Sequence, residues 1–363
     1  MNAVIKSWPA YSAQNATNFC ERFILAKKES RFLFGCNVYS QAVAKILEVA
    51  GFVETDPTRD KYIDLPIISL DSLHADAIVL SCAGGRPLSA SATLAKRGID
   101  HLDYFAFKVF SGLDLPDAVF NEGGPRIIEE NSPSIEWLYT ILADEGSRHV
   151  LNKIIAFRRS YDLTNLAGFS ERQREQYFEG FLTLDASDAV FVDVGCFDGL
   201  TSLEFAHRFP RYSSIIALEP DPLNFRRCQA SLAQLRGVTL VETAAGREAG
   251  LAAIIGEGST AALSIEGDDF VNVSKLDDLI SENVTFIKLD IEGAELDALE
   301  GARNLILRCN PTMAVCVYHR ADHFWKVPQL VLSINPNYSV FLRHYTESIY
   351  ETVMYFVPVG VDS

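Results

Sequence analysis

The stretch that most constrains the fold is Val190 to Thr201, VFVDVGCFDGLT. Four apolar residues with one embedded acid predict a short buried parallel strand. A glycine turn follows at Gly195 and Gly199, and Thr201 and Ser202 open an amphipathic helix over residues 203–209. Strand, glycine turn and helix make the first unit of a doubly wound sheet. Ligands of such sheets bind in the crevice outside the carboxyl ends of the strands. Gly195 lets the backbone bend and approach a ligand, and Gly199 lets the helix pack close to the turn.

The turn does not match a dinucleotide fingerprint. That pattern needs glycines at 195, 197 and 200, where this chain has Gly195, Phe197 and Leu200. Asp193 and Asp198 make the turn acidic, which suits a cationic ligand better than a pyrophosphate. Further on, Ser214 to Asp221, SIIALEPD, predicts a second strand ending in Glu219. A carboxylate there can accept from both hydroxyls of a ribose. A buried strand with a structural turn is the plainer alternative, and the spacing of Glu219 favours a nucleoside cofactor.

Three later strands extend the pattern. Val238 to Ala245 is the third, and Phe286 to Asp290 is a fourth buried one, which places Asp290 at a strand's carboxyl end with Asp193 and Glu219. Lys288 shares a strand face with Asp290. A lysine in a buried strand needs a partner, and Asp290 is the expected one. Ala314 to Arg320 predicts a fifth strand ending in His319. His319 and His323, four apart, could form half a metal site completed by Asp290 or Glu292. A structural zinc is disfavoured without cysteine pairs, so no metal is assigned. Asp290 and His319 are the expected acid–base pair, with Lys288 steadying Asp290.

These residues carry a resemblance. VDVGCFDG, LEPD, and Phe286 to Gly301, FIKLDIEGAELDALEG, resemble the FkbM family of S-adenosylmethionine-dependent methyltransferases over the C-terminal half of the chain. Cys196 departs from the alanine more usual after the glycine. The resemblance implies a class I methyltransferase sheet closed by an antiparallel hairpin, here Asn337–Tyr345 and Glu351–Pro358. It implies S-adenosylmethionine as cofactor, bound by Asp193, Gly195, Cys196, Gly199, Glu219, Pro220 and Asp290. Residues after the third strand would sit beside the adenine, making Glu242, Thr243 and Ala244 candidates. Ser259, in a glycine-rich stretch, is a weaker one. Methyl transfer to a hydroxyl of a small molecule, sugar or glycan is the implied activity, and an N-acceptor stays open.

Composition sets the outer bounds. At 363 residues two domains are expected, and 48% hydrophobic with 22% charged residues is ordinary for a globular protein. A net charge of −16 argues against nucleic acid or an anionic membrane as the main partner. No apolar run is long enough to span a bilayer, and the first residues lack a basic-then-apolar signal pattern. Seven scattered cysteines with no Cys-x-x-Cys read as reduced thiols of a cytoplasmic protein.

The expected organisation is a smaller Rossmann-like α/β domain at residues 1–120, a helical bridge at 121–184 and the methyltransferase domain at 185–363. In the first, strands over Phe32 to Phe34, Gly51 to Glu54 and Asp76 to Cys82 alternate with helices, predicting a small parallel sheet. Gly84-Gly85 before a helix could hold an anion by backbone N–H groups. A ligand-free structural or assembly domain is the plainer reading, so it receives no site, and a homo-oligomer through it is possible. Arg148, Arg158 and Arg159 in the bridge are expected on solvated helix faces. Two rival functions stay open: a nicotinamide-dependent oxidoreductase, disfavoured by the missing glycines, and a catalytically silent binding protein.

Overall fold

The computed structural model describes residues 10–182, 184, 188–255, 262–264 and 270–359. Ser259 lies outside the described residues. The chain forms two compact units: Met1–Asn131 with Val150–Gln173 and His344–Tyr350, and Ser132–His149 with Arg174–Arg343 and Glu351–Ser363. Each is an α/β assembly.

The first unit is built on a six-stranded sheet of β1 (Arg31–Phe34), β2 (Gly51–Glu54), β3 (Lys61–Tyr62), β4 (Leu65–Ser69), β5 (Ile78–Ser81) and β6 (Asp100–Asp103). The spatial order is β3-β4-β2-β1-β5-β6. All pairings are parallel except β3 with β4. The central strands β1 and β5 are apolar and largely buried, which is why they are readable. The outer strands β4 and β6 are not: β4 contains Pro66, and β6 reads Asp-His-Leu-Asp, so neither has a hydrophobic period.

The turns after β1, at Gly35, and after β5, at Gly84-Gly85, are both closed by the chain itself. Asn37 caps the helix Val38–Ile46, accepting from the N–H groups of Tyr39 and Ser40, and its Nδ2 donates to the Cys82 carbonyl at 2.7 Å. The helix Pro87–Lys96, which follows Gly84-Gly85, begins against Glu347. Its two carboxylate oxygens accept from the Ser89 N–H and the Ser89 hydroxyl, both at 2.7 Å. Next to it, the Ser348 hydroxyl donates to the Gly84 carbonyl. The anion at this helix start is therefore an internal carboxylate.

Arg158 departs from expectation. It is fully buried, and its Nη1 donates to the Phe120 carbonyl at 2.6 Å and to Asn121 Oδ1 at 3.2 Å. Burial lowers its pKa to about 10, still far above neutrality. The guanidinium serves the loop before Gly124, whose carbonyls need donors, instead of facing water. Arg148 and Arg159 are partly exposed, as expected, and make ion pairs with Glu145 and Glu129.

The second unit holds a seven-stranded sheet. Its strands are β7 (Val190–Val194), β8 (Ser214–Leu218), β9 (Val238–Val241), β14 (Phe286–Leu289), β15 (Thr312–Cys316), β16 (Tyr338–His344) and β17 (Thr352–Pro358). The order β16-β17-β15-β14-β7-β8-β9 puts the reversal between β7 and β14. Pairings from β15 to β9 are parallel, and β17 runs antiparallel to β15. This is the doubly wound methyltransferase-type sheet. A smaller sheet joins β10 (Ala244–Ala245), β11 (Gly250–Ile255), β12 (Ala262–Ser264) and β13 (Phe270–Ser274). Phe191 of β7 stacks between Phe205 and Phe286, at 4.4 and 5.2 Å between ring centroids. These rings lock β7, β14 and the helix Leu200–Arg208 together and set the height of the strand ends.

Replacing Glu347 with alanine strands the Ser89 donors at a helix start. The variant is expected to lose about 1–3 kcal/mol in the first unit's urea transition. Circular dichroism against urea measures it, and an unchanged midpoint would contradict the capping role.

Candidate active site

The site begins at the turn after β7. Gly195 has φ +77°, and its N–H and that of Cys196 both donate to the Leu218 carbonyl, at 2.9 and 3.0 Å. A Cβ on Gly195 would lie 2.1 Å from the Asp290 carbonyl oxygen and 2.9 Å from Ile291 Cγ2. Only glycine lets the exits of β7 and β14 touch. Gly199, at φ +83°, precedes the helix Leu200–Arg208 and faces Leu232 and Cys228, which a Cβ would press at 3.1–3.2 Å. Cys196 is buried with its sulfur 3.2 Å from that of Cys228. That contact and burial push the Cys196 thiol upward, which makes it a poor nucleophile.

Beneath the turn lies a buried ion pair. Lys288 Nζ is 3.1 Å from Asp193 Oδ1, and both side chains are almost wholly removed from solvent. The lysine also donates to the Gly195 carbonyl at 2.6 Å, and Ser202 donates to Asp193 Oδ2 at 2.7 Å. Burial works against the charge on Lys288, but Asp193 and then Asp290 outweigh it and hold its pKa above the usual lysine range. The lysine's ion-pair partner is thus Asp193 and not the Asp290 expected from the sequence. The reason is geometric. Residues two apart on one strand stand about 6.6 Å apart, whereas in-register neighbours on adjacent strands stand about 4.8 Å apart. Lys288 and Asp193 are such neighbours. Asp193 therefore supports the turn from below.

Glu219, at the end of β8, ties the first turn to the second. Its two oxygens accept from the N–H of Phe197 at 2.9 Å and of Asp221 at 3.0 Å. Burial raises its pKa against these hydrogen bonds. Each oxygen retains capacity for a further donor. Pro220 follows it, partly exposed, and Asp221 caps the helix Pro222–Leu232. Thr243 and Ala244 are buried at the exit of β9, where the Thr243 hydroxyl donates to the Asn272 carbonyl at 3.1 Å and lies 3.0 Å from Ser274 Oγ. Glu242 is exposed.

At the exit of β14, Asp290 is followed by Ile291 and then Glu292, a non-glycine residue at φ +51°. His319, buried at the exit of β15, faces three carboxylates. Its Nδ1 is 2.7 Å from Glu295 Oε1, and its Nε2 is 3.5 Å from Asp290 and 3.6 Å from Glu292. Burial alone would lower the His319 pKa, but Glu295 leads the neighbours that push it well above the ordinary value. Glu295 is itself buried, a cost exceeded by the charge of His319, and it is held far below the carboxylate range. The neighbouring carboxylates therefore favour the charged imidazolium over the neutral ring. Glu295 Oε2 also lies 3.1 Å from His323 Nδ1, so the two histidines share this carboxylate. Among the described residues no group of three or more His, Cys, Asp or Glu is arranged to hold a metal ion.

Residues 193–349 match the methyltransferase FkbM domain. That stretch is an FkbM methyltransferase domain. The chain is also similar to the crystal structure of methyltransferase FkbM from Methylobacillus flagellatus KT, at 24% identity and a TM-score of 0.75, covering 98% of this chain and 95% of that one. That likeness shows a shared fold over nearly the whole length. Weaker likenesses reach Aeropyrum pernix fibrillarin, solved with natively bound S-adenosyl-L-methionine (13% identity, TM-score 0.34, 51% of this chain and 74% of that one). They also reach precorrin-6y C5,15-methyltransferase from Geobacter metallireducens GS-15 (20%, TM-score 0.28, 47% and 78%). No curated protein matches the sequence. No helix among the described residues is long and apolar enough to cross a membrane.

The FkbM domain contains Asp193, Glu219, Asp290 and His319, but three polar neighbours of Asp290 lie outside its matched span. The Tyr177 hydroxyl donates to Asp290 Oδ2 at 2.7 Å. Gln176 Nε2 lies 2.9 Å from the Tyr177 hydroxyl oxygen and 2.6 Å from Glu351 Oε2. The segment around Gln176 has no periodic pattern, and only the resulting fold brings it to the strand ends.

Two substitutions test this architecture. Gly195→Ala meets both a backbone clash and a left-handed φ, and is expected to cost at least about 2 kcal/mol, read as a lowered melting temperature. Lys288→Met leaves Asp193 buried and unpaired, and is expected to cost about 3–5 kcal/mol in chemical denaturation. Near-wild-type stability in either variant would contradict the geometry.

Proposed function

We propose that this chain transfers a methyl group from S-adenosylmethionine to a hydroxyl of a small molecule, sugar or glycan. The observation that carries the reading is the convergence of Gly195, Glu219 and Asp290 at the ends of three adjacent parallel strands, β7, β8 and β14, inside an FkbM methyltransferase domain. The residues fit the cofactor. Gly195 lets the exits of β7 and β14 close on each other beneath the crevice, and Glu219 has lone pairs for a ribose diol. In this reading Gly195, Cys196, Gly199 and Pro220 line the cofactor with backbone, and Thr243 and Ala244 flank its base. Asp193 acts through Lys288 by holding the turn. When bound, the cofactor supplies an electrophilic methyl on a positively charged sulfur.

The chain's own residues handle the acceptor proton. A hydroxyl is a weak nucleophile until a base takes its proton as the new bond forms. An imidazolium has no lone pair to offer, so His319 is an electrostatic partner in place of the base. Asp290 is then the base. It is partly exposed and is oriented by the Tyr177 hydroxyl. Alignment of acceptor and methyl supplies the larger part of the acceleration.

Asp290→Asn keeps the shape of the site and removes the base. It is expected to retain S-adenosylmethionine binding in titration calorimetry. Its transfer of radiolabelled methyl to a panel of small hydroxylated acceptors should fall by about 10²–10⁴-fold. Turnover equal to wild type would remove Asp290 from the chemistry.

A further inference from the structure

Glu351 sits at the entry of β17, at φ +61°, a left-handed conformation that a non-glycine residue adopts only when its surroundings enforce it. Its Oε2 accepts from Gln176 Nε2 at 2.6 Å, and its Oε1 from the Tyr318 hydroxyl at 3.2 Å. The same Gln176 nitrogen lies 2.9 Å from the Tyr177 oxygen, whose hydroxyl donates onward to Asp290. One amide nitrogen thus serves two groups, using one N–H for each.

We propose that Glu351 is a proton-controlled positioning residue for Asp290, acting through the Gln176 amide on the direction in which the Tyr177 hydroxyl donates. The inference rests on the reading of Asp290 as the base. An ionised Glu351 only accepts, so only the nitrogen end of the amide suits it. That end also fills an acceptor position on the Tyr177 oxygen and leaves its proton for Asp290. A protonated Glu351 is a donor and is matched by the carbonyl end. The turned amide then presents an oxygen to Tyr177 as well and competes with Asp290 for its proton. The two amide orientations occupy the same space, so the exchange needs no backbone movement.

The surroundings place this proton in the neutral range. Burial and the charge of Asp290 push Glu351 up to about 7, against the Gln176 and Tyr318 hydrogen bonds and the charge of His319. Cys316, from β15, is a further titratable neighbour and is held well above its ordinary value by burial and then Asp290. Tyr177 is likewise pushed well above its ordinary value by burial and Asp290, so it stays protonated and able to donate. The sign follows: Glu351 is ionised above about 7, where Tyr177 donates to Asp290, and protonated below, where that bond is contested.

The test uses the full chain without cofactor or acceptor. Infrared difference spectra of ring-¹³C tyrosine protein are recorded across neutral pH, with Tyr177→Phe identifying the Tyr177 C–O band. A parallel ¹³C-glutamate sample, with Glu351→Gln as its reference, follows the Glu351 carboxyl. The expected result is a shift of the Tyr177 band with the same midpoint as the Glu351 carboxyl, near 7. The shift should be lost in Glu351→Gln and in Gln176→Leu. A Tyr177 band that stays still while Glu351 titrates, a shift that survives in Glu351→Gln, or a Glu351 that does not titrate in this range would overturn the proposal. Should Gln176→Leu fail to fold, the two wild-type midpoints and the Glu351→Gln spectrum still decide the matter. Cofactor binding is scored separately by calorimetry, so failure here and failure of the methyl-transfer reading are distinguishable.

Discussion

The Lys288–Asp193 ion pair is the constraint on which the rest of the second unit depends. Two opposite charges are taken almost wholly out of water on neighbouring strands, where either alone would be strongly unfavourable. Asp193 also accepts from Ser202, and Lys288 also donates to the Gly195 carbonyl. The pair therefore holds the helix start, the turn after β7 and the body of β14 in one arrangement. Above it, the close approach of Gly195 to the Asp290 carbonyl brings the two strand exits together. A buried pair of this kind contributes little net stability, but breaking it leaves a charge with no partner.

The same pair changes the electrostatics of the crevice. Asp193 is paired with Lys288 and turned inward, so in the proposed reading the acid charge left for a ligand is that of Glu219 and Asp290. Farther out, His319 is balanced by Glu295, Asp290 and Glu292. A histidine so surrounded is biased toward its charged form and away from accepting a proton. The carboxylates set that outcome, since burial by itself would have favoured the neutral ring.

Much of this was legible in the sequence, for physical reasons. Strands buried on both faces, such as Val190–Val194 and Phe286–Leu289, are continuous apolar runs, and the glycines and acids at their ends announce the sheet and its crevice. Partners across the sheet were less legible. Lys288 shares a strand face with Asp290, which local spacing offers as its partner, but register, which no local pattern reveals, gives it to Asp193. Long-range contacts were not legible at all. Glu347 at the start of the helix Pro87–Lys96, Tyr177 on Asp290 and the burial of Arg158 each depend on segments far apart in sequence. Among the strands, β4 and β6 were missed because a proline and two aspartates leave them no hydrophobic alternation.

In the proposed reading the ends of β7, β8 and β14 form the seat of a sulfur nucleoside. A crystal structure with S-adenosylhomocysteine tests it most directly. The ribose hydroxyls are expected on Glu219, the base beside Thr243 and Ala244, and the sulfur over the Gly195 turn toward Asp290. A ligand seated elsewhere, or one that leaves Glu219 bonded only to the Phe197 and Asp221 amides, would contradict it.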